Sequence, residues 1–330
     1  MATWFAIGMG SKNSKGEWLE VYYPRSLINP SESLIRKAQE LIEYKNGNST
    51  RPVPQELLEE LNDVIKDFSK LGDKKSVLVI ADSKEPPNDV PSSYLRLHLL
   101  SHRLVKPNEI NLDGIFNLLP TVAWTSDGPK DPKELNDILS KKRINNETLH
   151  IHSLDKFPCM TDYVIPEGVR IADSHRVRLG AYLGKGTTVM HEGFINFNAG
   201  TLGKSMIEGR ISQGVAVGEG SDLGGSSSTM GTLSGGNEGL ISMGRDCLLG
   251  ANSGLGIPLG DRCIIEAGLY ITAGTKVELI KSKDEVKEVK ALELAFKNDL
   301  LFIRNSLTGT VQCRPNTKSV NLNEDLHSNN

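Results

Sequence analysis

From Ile171 to Val277 the chain carries an aliphatic residue at every sixth position. The beat runs Ile171, Val177, Leu183, Val189, Ile195 and Ile207, with no aliphatic marker in the hexad between the last two. A four-residue step follows, and the beat resumes at Ile211, Val217 and Leu223. It returns at Met243, Leu249 and Leu255, steps by four again, and continues at Leu259, Ile265, Ile271 and Val277. The residue after the marker is often small, as at Ala172, Gly184, Ser212, Gly218, Gly224, Gly244, Gly250, Gly256 and Gly260. Period six fits neither an amphipathic helix nor an alternating strand. It predicts a parallel β-helix built from hexapeptide repeats, three flat faces per coil, with each coil's aliphatic residues stacked on the next.

The flanking regions follow other periods. Thr3–Ile7 and Trp18–Tyr23 read as strands around the polar turn Ser11–Gly16, and Gly8-Met9-Gly10 as a hairpin or strand-end turn rather than a dinucleotide loop. Ser31 or Asn29 can cap a helix carrying Leu34, Ile35, Ala38, Leu41 and Ile42, which Asn46-Gly47-Asn48 stops. A second helix is predicted over about 54–71, a buried strand over Ser76–Ala81, and a helix over Tyr94–Leu104. His98 and His102, one helical turn apart, have the spacing of a metal pair but lack acidic or Cys partners nearby, which favours packing. Residues 107–150 read as a mixed connector and His150–Lys156 as a strand. Beyond Val277 the strand-like pieces are Val286–Leu292, Leu300–Ile303 and Gly309–Cys313, followed by a polar tail from Asn316. The domains expected are therefore 1–150, α+β with the connector; 151–278, the β-helix; and 279–330, a small β-rich region and tail.

Composition sharpens this picture. Residues 161–280 hold 24 of the chain's 32 glycines, marking that third as a different kind of structure. Net charge is −3 with no basic tail, which gives no reason to expect nucleic-acid binding. Cys159, Cys247, Cys263 and Cys313 show no CxxC spacing and read as reduced thiols of a cytoplasmic protein. Neither a signal peptide nor an apolar run of membrane-spanning length is apparent.

A β-helix buries its own ladder, so chemistry is expected where the beat lapses. One lapse is His191–Gly203 leading into Met206-Ile207-Glu208-Gly209-Arg210; the other is Gly224–Gly236. The second forms a polar, Gly-rich loop whose N–H groups can face a ligand. Glu208 lies two residues before Arg210, an arrangement that suits either an ion-paired base or nucleophile or a structural corner salt bridge. The Gly231 amide, about one coil on, is expected to face Glu208 as an oxyanion donor or to serve only as a turn. Arg170, Arg176 and Arg178 cluster on the first coils, suited to subunit contacts or a dicarboxylate.

The runs MHEGFINFNAGTLG, MIEGRIS, GSDLGGSSSTMGTLSGG, CLLGANSGLGIPLGDRC and EAGLYITAGTKV resemble the long form of the tetrahydrodipicolinate N-succinyltransferase family. The likeness extends more weakly to YLRLHLLSHRLVKP, LLPTVAWT, FIRNS and LNEDLH. It implies a homotrimer of left-handed parallel β-helices with active sites between neighbouring subunits. It also implies transfer of succinyl from succinyl-CoA, as co-substrate, to the amine of ring-opened tetrahydrodipicolinate, a small dicarboxylate on the route to diaminopimelate and lysine. By the same resemblance Glu208 is the catalytic glutamate, acting through an acyl-anhydride, and Gly231 the oxyanion donor. Arg210, Gly225, Ser228, Ala251, Glu266, Ala267 and Gly274 line the CoA groove. Lys290, Ile303, Arg304, Asn305 and Ser306 contact the nucleotide end, where cations and amides suit phosphates. Mg2+ near the threefold axis would be held by Glu192 and an upstream acid; His175 stands where that acid is expected, and Asp173 is the substitute on offer.

Three other readings use the same fold. Another hexapeptide acyltransferase would use acetyl-CoA, commonly with a His base, and only His175 and His191 lie in the coils. A γ-type carbonic anhydrase needs three zinc histidines. A non-catalytic assembly module would have no reason to break its ladder twice.

Overall fold

The computed structural model describes residues 3–233, 239–282 and 285–317. These fall into two compact units, Met1–Leu99 with Glu109–Pro158, and Leu100–Asn108 with Cys159–Asn330.

The first unit holds a four-stranded antiparallel sheet in the spatial order Trp18–Tyr22, Thr3–Lys12, Lys75–Asp82, Ser49–Arg51. Phe5, Ile7, Leu78 and Ile80 alternate onto one face and meet Leu34, Ala38, Leu57 and Leu61 from the helices Glu32–Leu41 and Gln55–Val64. The first helix begins where the Ser31 side chain accepts the Leu34 N–H. The second is shorter than the sequence pattern predicts. Ile65 is extended and Asp67 adopts φ +61, so the chain turns and inserts Phe68 into the core by a loop. Gly8 and Gly10 are not at a turn. They lie within Thr3–Lys12, where a Cβ at Gly10 would come within 2.1 Å of the Glu20 carbonyl oxygen. His98 is fully buried: the Tyr23 N–H donates to its Nε2 at 3.2 Å, and its Nδ1 pairs with the Tyr94 carbonyl at 2.8 Å. Both ring nitrogens thus serve packing, and no group of three potential metal ligands occurs among the described residues. The connector contains a three-stranded sheet of Gly128–Lys130, Val122–Thr125 and Ile151–Asp155, and the helix Leu135–Ile144.

The second unit is a parallel β-helix. Three columns of two- or three-residue strands form its faces. The first face stacks Ile171, Val189, Ile207, Leu223, Leu249 and Ile265 in register. The second stacks Val177, Ile195, Ile211, Thr229, Leu255 and Ile271. The third stacks Leu183, Thr201, Val217 and Met243. Several corners turn through a residue in the left-handed region, and such residues stack: Ser226 (φ +57), Asn252 (φ +57) and Gly268 (φ +72) form one column, while the Ile207–Ile211 corner has none. Beyond Ile265, Leu300–Arg304 pairs in parallel with the first face and in antiparallel with Val311–Pro315. The C-terminal strands therefore extend that face. The tail from Lys318 lies outside the described residues, as does LNEDLH.

Thr201 accounts for the hexad without an aliphatic marker. The coil is unbroken there: Thr201 occupies the ladder position with no exposure, and its hydroxyl meets Thr187 Oγ1 at 2.7 Å. The second lapse is a real excursion. After Thr229 the chain leaves the coil, Thr232 bridges Leu240, and it rejoins the third face at Ser242–Met243.

Candidate active site on the β-helix

Glu208 sits at the corner between the first and second faces, where the marker spacing drops to four. Shortening the Ile207–Ile211 corner recesses it between its neighbours. The result is a depression lined by Met190, His191, Glu192 and Glu208. The backbone is fixed by the next coil: the Glu208 N–H donates to the Leu223 carbonyl at 2.9 Å, and its own carbonyl accepts from the Ser226 N–H at 3.2 Å. No described residue donates a hydrogen bond to the Glu208 carboxylate. A Cβ built on Gly225 would be 3.7 Å from Glu192 Oε2 and 3.8 Å from Glu208 Oε2. Two carboxylates therefore flank a glycine whose missing side chain keeps the depression open. Ser226 Oγ donates to Glu192 Oε2 at 3.2 Å.

The expected ion pair between Glu208 and Arg210 does not form among the described residues. Gly209 and the corner separate them, and the Arg210 guanidinium donates instead to Ser228 Oγ through Nε at 3.1 Å and Nη2 at 2.8 Å. Gly231 does not face Glu208 within one chain either. It lies beside Gln213, whose carbonyl oxygen would be 3.1 Å from a Cβ on Gly231. Gln213 is at the far end of the second face, five residues past Glu208, on the order of 15 Å along an extended strand.

The remaining predicted residues divide in the same way. At the near corner Gly225, Ala251, Glu266 and Ala267 stack above Glu208. Asn252 N–H donates to the Gly225 carbonyl and Gly268 N–H to the Ala251 carbonyl, each at 2.8 Å. A Cβ on Gly250 would be 2.4 Å from Ala267 N, so glycine is needed for the coils to close here. The column continues into the C-terminal strands, where Arg304 N–H donates to Glu266 Oε2 at 2.7 Å and Glu266 N–H to the Phe302 carbonyl at 3.0 Å. Ile303, Arg304, Asn305 and Ser306 follow directly; Asn305 Oδ1 accepts the Leu307 and Thr308 amides and shapes that hairpin. At the far corner lie Gly231, Gly274 and Lys290, the last paired with Lys276 just beyond Gly274. Arg210 and Ser228 bridge the two groups on the outer side of the second face.

The acids proposed for a metal, Asp173 and Glu192, belong to no group of three potential ligands among the described residues. Asp173 Oδ1 accepts the His175 N–H at 3.0 Å and faces its Nδ1 at 3.2 Å, closing its own turn. The His175 backbone bond, then its ring and Arg176, hold the Asp173 carboxyl below the usual range. Glu192 is exposed one coil further along the same corner and lines the depression with Glu208. Sequence reasoning missed the Glu192–Ser226 contact and the bracing of Arg178 by Asn196 (3.1 Å) and the Phe194 ring (5.7 Å). The signal for both was present in the repeat, which places these residues at equivalent or adjacent coil positions.

Residues 119–158 match the middle region of tetrahydrodipicolinate N-succinyltransferase, and residues 240–273 match the hexapeptide repeat of succinyl-transferase. A 2,3,4,5-tetrahydropyridine-2,6-dicarboxylate N-succinyltransferase of Pseudomonas paraeruginosa is 53% identical over 98% of both chains. The protein of that name from Vibrio cholerae is 49% identical over 99% of both. A solved structure from Campylobacter jejuni, described as a 2,3,4,5-tetrahydropyridine-2-carboxylate N-succinyltransferase, superposes with TM-score 0.86 at 34% identity, covering 96% of this chain and 93% of that one.

Proposed function

Since the chain belongs to the tetrahydrodipicolinate N-succinyltransferase family, we propose that it transfers the succinyl group of succinyl-CoA to the amine of ring-opened tetrahydrodipicolinate. The left-handed β-helix is the frame for this reaction. In the transfer the amine nitrogen bonds to the thioester carbonyl carbon, the C–S bond breaks, and CoA leaves as thiolate. The amine gives up a proton to a base, and the thiolate takes one up. A thioester is already activated, so the enzyme's tasks are alignment, oxyanion stabilisation and proton handling.

The observation that carries the reading is the division of the predicted residues between the two corners of one face. Glu208 has its carboxylate open to the depression, while Gly231 is a face-width away. We place the active site between subunits of a homotrimer, with Glu208 and the column Gly225–Ala251–Glu266–Arg304 from one subunit and Gly231, Gly274 and Lys290 from its neighbour. Glu208 then takes the amine proton directly or first accepts the acyl group as an anhydride; both routes need the same uncommitted carboxylate. Arg304 and Lys290 suit the CoA phosphates. The far-corner loop presents the Gly231 amide to the developing oxyanion. Glu192, exposed at this corner, is the residue that would hold a magnesium ion, which would offset the negative charge of the carboxylates there. The reading also places the enzyme in the cytoplasm with its CoA donor; no described helix is long and apolar enough to cross a membrane.

The test is thiol release from succinyl-CoA and from acetyl-CoA in the presence of tetrahydrodipicolinate. Succinyl-CoA should be the preferred donor, and Glu208→Gln should lower turnover about a hundredfold to ten-thousandfold with oligomeric state unchanged. Near-wild-type turnover by that variant would sink the assignment. Mass spectrometry of a succinylated Glu208 would select the covalent route.

A further inference from the structure

The four-stranded sheet of the first unit ends in cations that the chain itself does not neutralise. Along Thr3–Lys12, Phe5 and Ile7 face the helices, so Gly8, Gly10 and Lys12 take the other face. Gly10 pairs with Lys75 and Gly8 with Val77, which puts Lys75 and Val77 on that face too. Thr50 pairs with Val79 and joins it from the outer strand. Lys12 and Lys75 are diagonal neighbours, roughly 7–8 Å apart by sheet geometry. With Trp18, Thr50, Arg51 and Val77 they line a cavity of about 430 Å3. None of its described lining residues is acidic, although the whole chain carries a net charge of −3.

Lys12, Arg51 and Lys75 form no ion pair among the described residues. Lys12 Nζ lies 4.4 Å from the centroid of the ring of Trp18, its cross-strand partner. Arg51 Nη1 donates to the Thr50 carbonyl at 3.1 Å, which folds the guanidinium back along its own strand. The nearby acids are engaged elsewhere. Glu20 lies on the opposite face, where it accepts from the Ser11 amide and hydroxyl and from Lys74. Lys12 also borders an adjoining cavity. There Asp127 pairs with Lys142, Asp131 accepts from Asn13, and Glu134 accepts the Ser14 N–H. Asp73, in that same cavity, makes no ion pair with Lys12. Thr50 Oγ1 is buried without a hydrogen-bond partner, a cost that a bound acceptor would offset.

A cleft lined by one sign of charge concentrates counter-ions. Here the donors come from three different strands, so they approach a guest from several sides. A carboxylate is planar and is met best by a single fork. A phosphoryl group carries up to about two negative charges and three acceptor oxygens, which an arginine fork and two lysine point charges can share. We propose that this cavity binds a small phosphate-bearing anion, its oxygens shared by Lys12, Arg51 and Lys75. The site uses none of the residues assigned to acyl transfer, so either reading can fail without the other.

The phosphate belongs either to an inorganic ion or to a nucleotide whose base lies against the Trp18 ring, and two probes separate these sources. Calorimetric titrations use the full-length oligomer in saturating CoA, so that the nucleotide groove proposed for the β-helix is filled. Inorganic diphosphate, ADP and citrate are titrated into wild type, Arg51→Gln, Lys75→Gln and Trp18→Leu. Diphosphate should bind once per chain, and more weakly as salt rises. Arg51→Gln and Lys75→Gln should each lower its affinity about tenfold, with melting point and turnover unchanged. ADP that binds more tightly than diphosphate, with the advantage lost in Trp18→Leu, identifies a nucleotide. Equal binding of the two identifies the inorganic ion.

Arg51 and Lys75 are exposed, so their substitution leaves the sheet core untouched. No binding of diphosphate or ADP to wild type would overturn the proposal. Unchanged affinity in both Arg51→Gln and Lys75→Gln would overturn it by placing the anion elsewhere. Citrate binding as tightly as diphosphate would reduce the cavity to a general patch of positive charge and overturn it too. A protein that takes up diphosphate but no CoA would keep this site and lose the succinyl-transfer reading.

Discussion

Thr201 brings a hydroxyl into the interior of the coil at a position that the repeat assigns to an aliphatic residue. It is stable there because its Oγ1 meets Thr187 Oγ1 at 2.7 Å and accepts the Gly184 N–H at 3.3 Å, while Thr187 also donates to the Gly184 carbonyl. Buried polar groups are tolerated when satisfied in this way. Thr229 does the same on the second face, accepting the Ser212 N–H at 3.0 Å. A six-residue hydrophobic count cannot see such substitutions, since β-branched Thr has the shape of Val. Thr201→Val should therefore cost only about 0.5–1.5 kcal/mol of stability and leave turnover unchanged. A thermal melt beside the activity assay checks this, and a large activity loss would return the first lapse to the site. Gly184 shows the opposite case. The small residue after a ladder position was legible in the sequence, but its reason was not: a Cβ there would sit 2.4 Å from Gly203 N. Because backbone cannot move aside cheaply, Gly184→Ala should destabilise by about 1–3 kcal/mol or more, seen as a melting point lowered by several degrees.

Among the elements, those with strong periodicity were legible and those closed by local backbone geometry were not. Lys75–Asp82 and Glu32–Leu41 lie close to where alternation and capping predict, while Thr3–Lys12 runs five residues past the predicted strand, through Gly8 and Gly10. The helix expected over 54–71 ends at Val64 because Asp67 in the left-handed region redirects the chain, and an apolar count through Phe68 hides that turn. The step of four at Ile207–Ile211 was visible as a phase shift; its meaning, a recessed corner between Glu192 and Gly225, required the coils on either side. The last coil is tied to the C-terminal strands by Arg262, whose Nε and Nη2 reach the two Asp299 carboxylate oxygens at 2.6 and 2.9 Å. That hydrogen-bonded guanidinium holds the Asp299 carboxyl below its ordinary value. A carboxyl with a depressed folded pKa contributes stability above its unfolded pKa, about pH 4, and loses it as pH falls toward the folded value. Asp299→Asn should therefore lower the melting point slightly at pH 7, the pair being exposed. The difference should vanish well below pH 4. A difference that persists in acid would show that the ion pair is not its source.

For the whole molecule, the repeat made the β-helix legible without any structure, and long shared phrases made the family legible. The arrangement of the site was not, because residues scattered between Glu208 and Ser306 become a single column only when the coils stack. The same stacking carries Gly231, Gly274 and Lys290 to the opposite edge, a separation that no count along the chain displays. The proposed active site needs these two half-sites to meet across a subunit boundary. Its most direct test is complementation between Glu208→Gln and Gly231→Pro, the second of which removes the amide proton assigned to the oxyanion. Each variant alone should be nearly inactive. Unfolded and refolded together, or co-expressed with different tags and purified as mixed trimers, they should regain activity at boundaries that join an intact Glu208 to an intact Gly231. Mixed trimers, verified by mass, that stay as inactive as their parents would contradict the account.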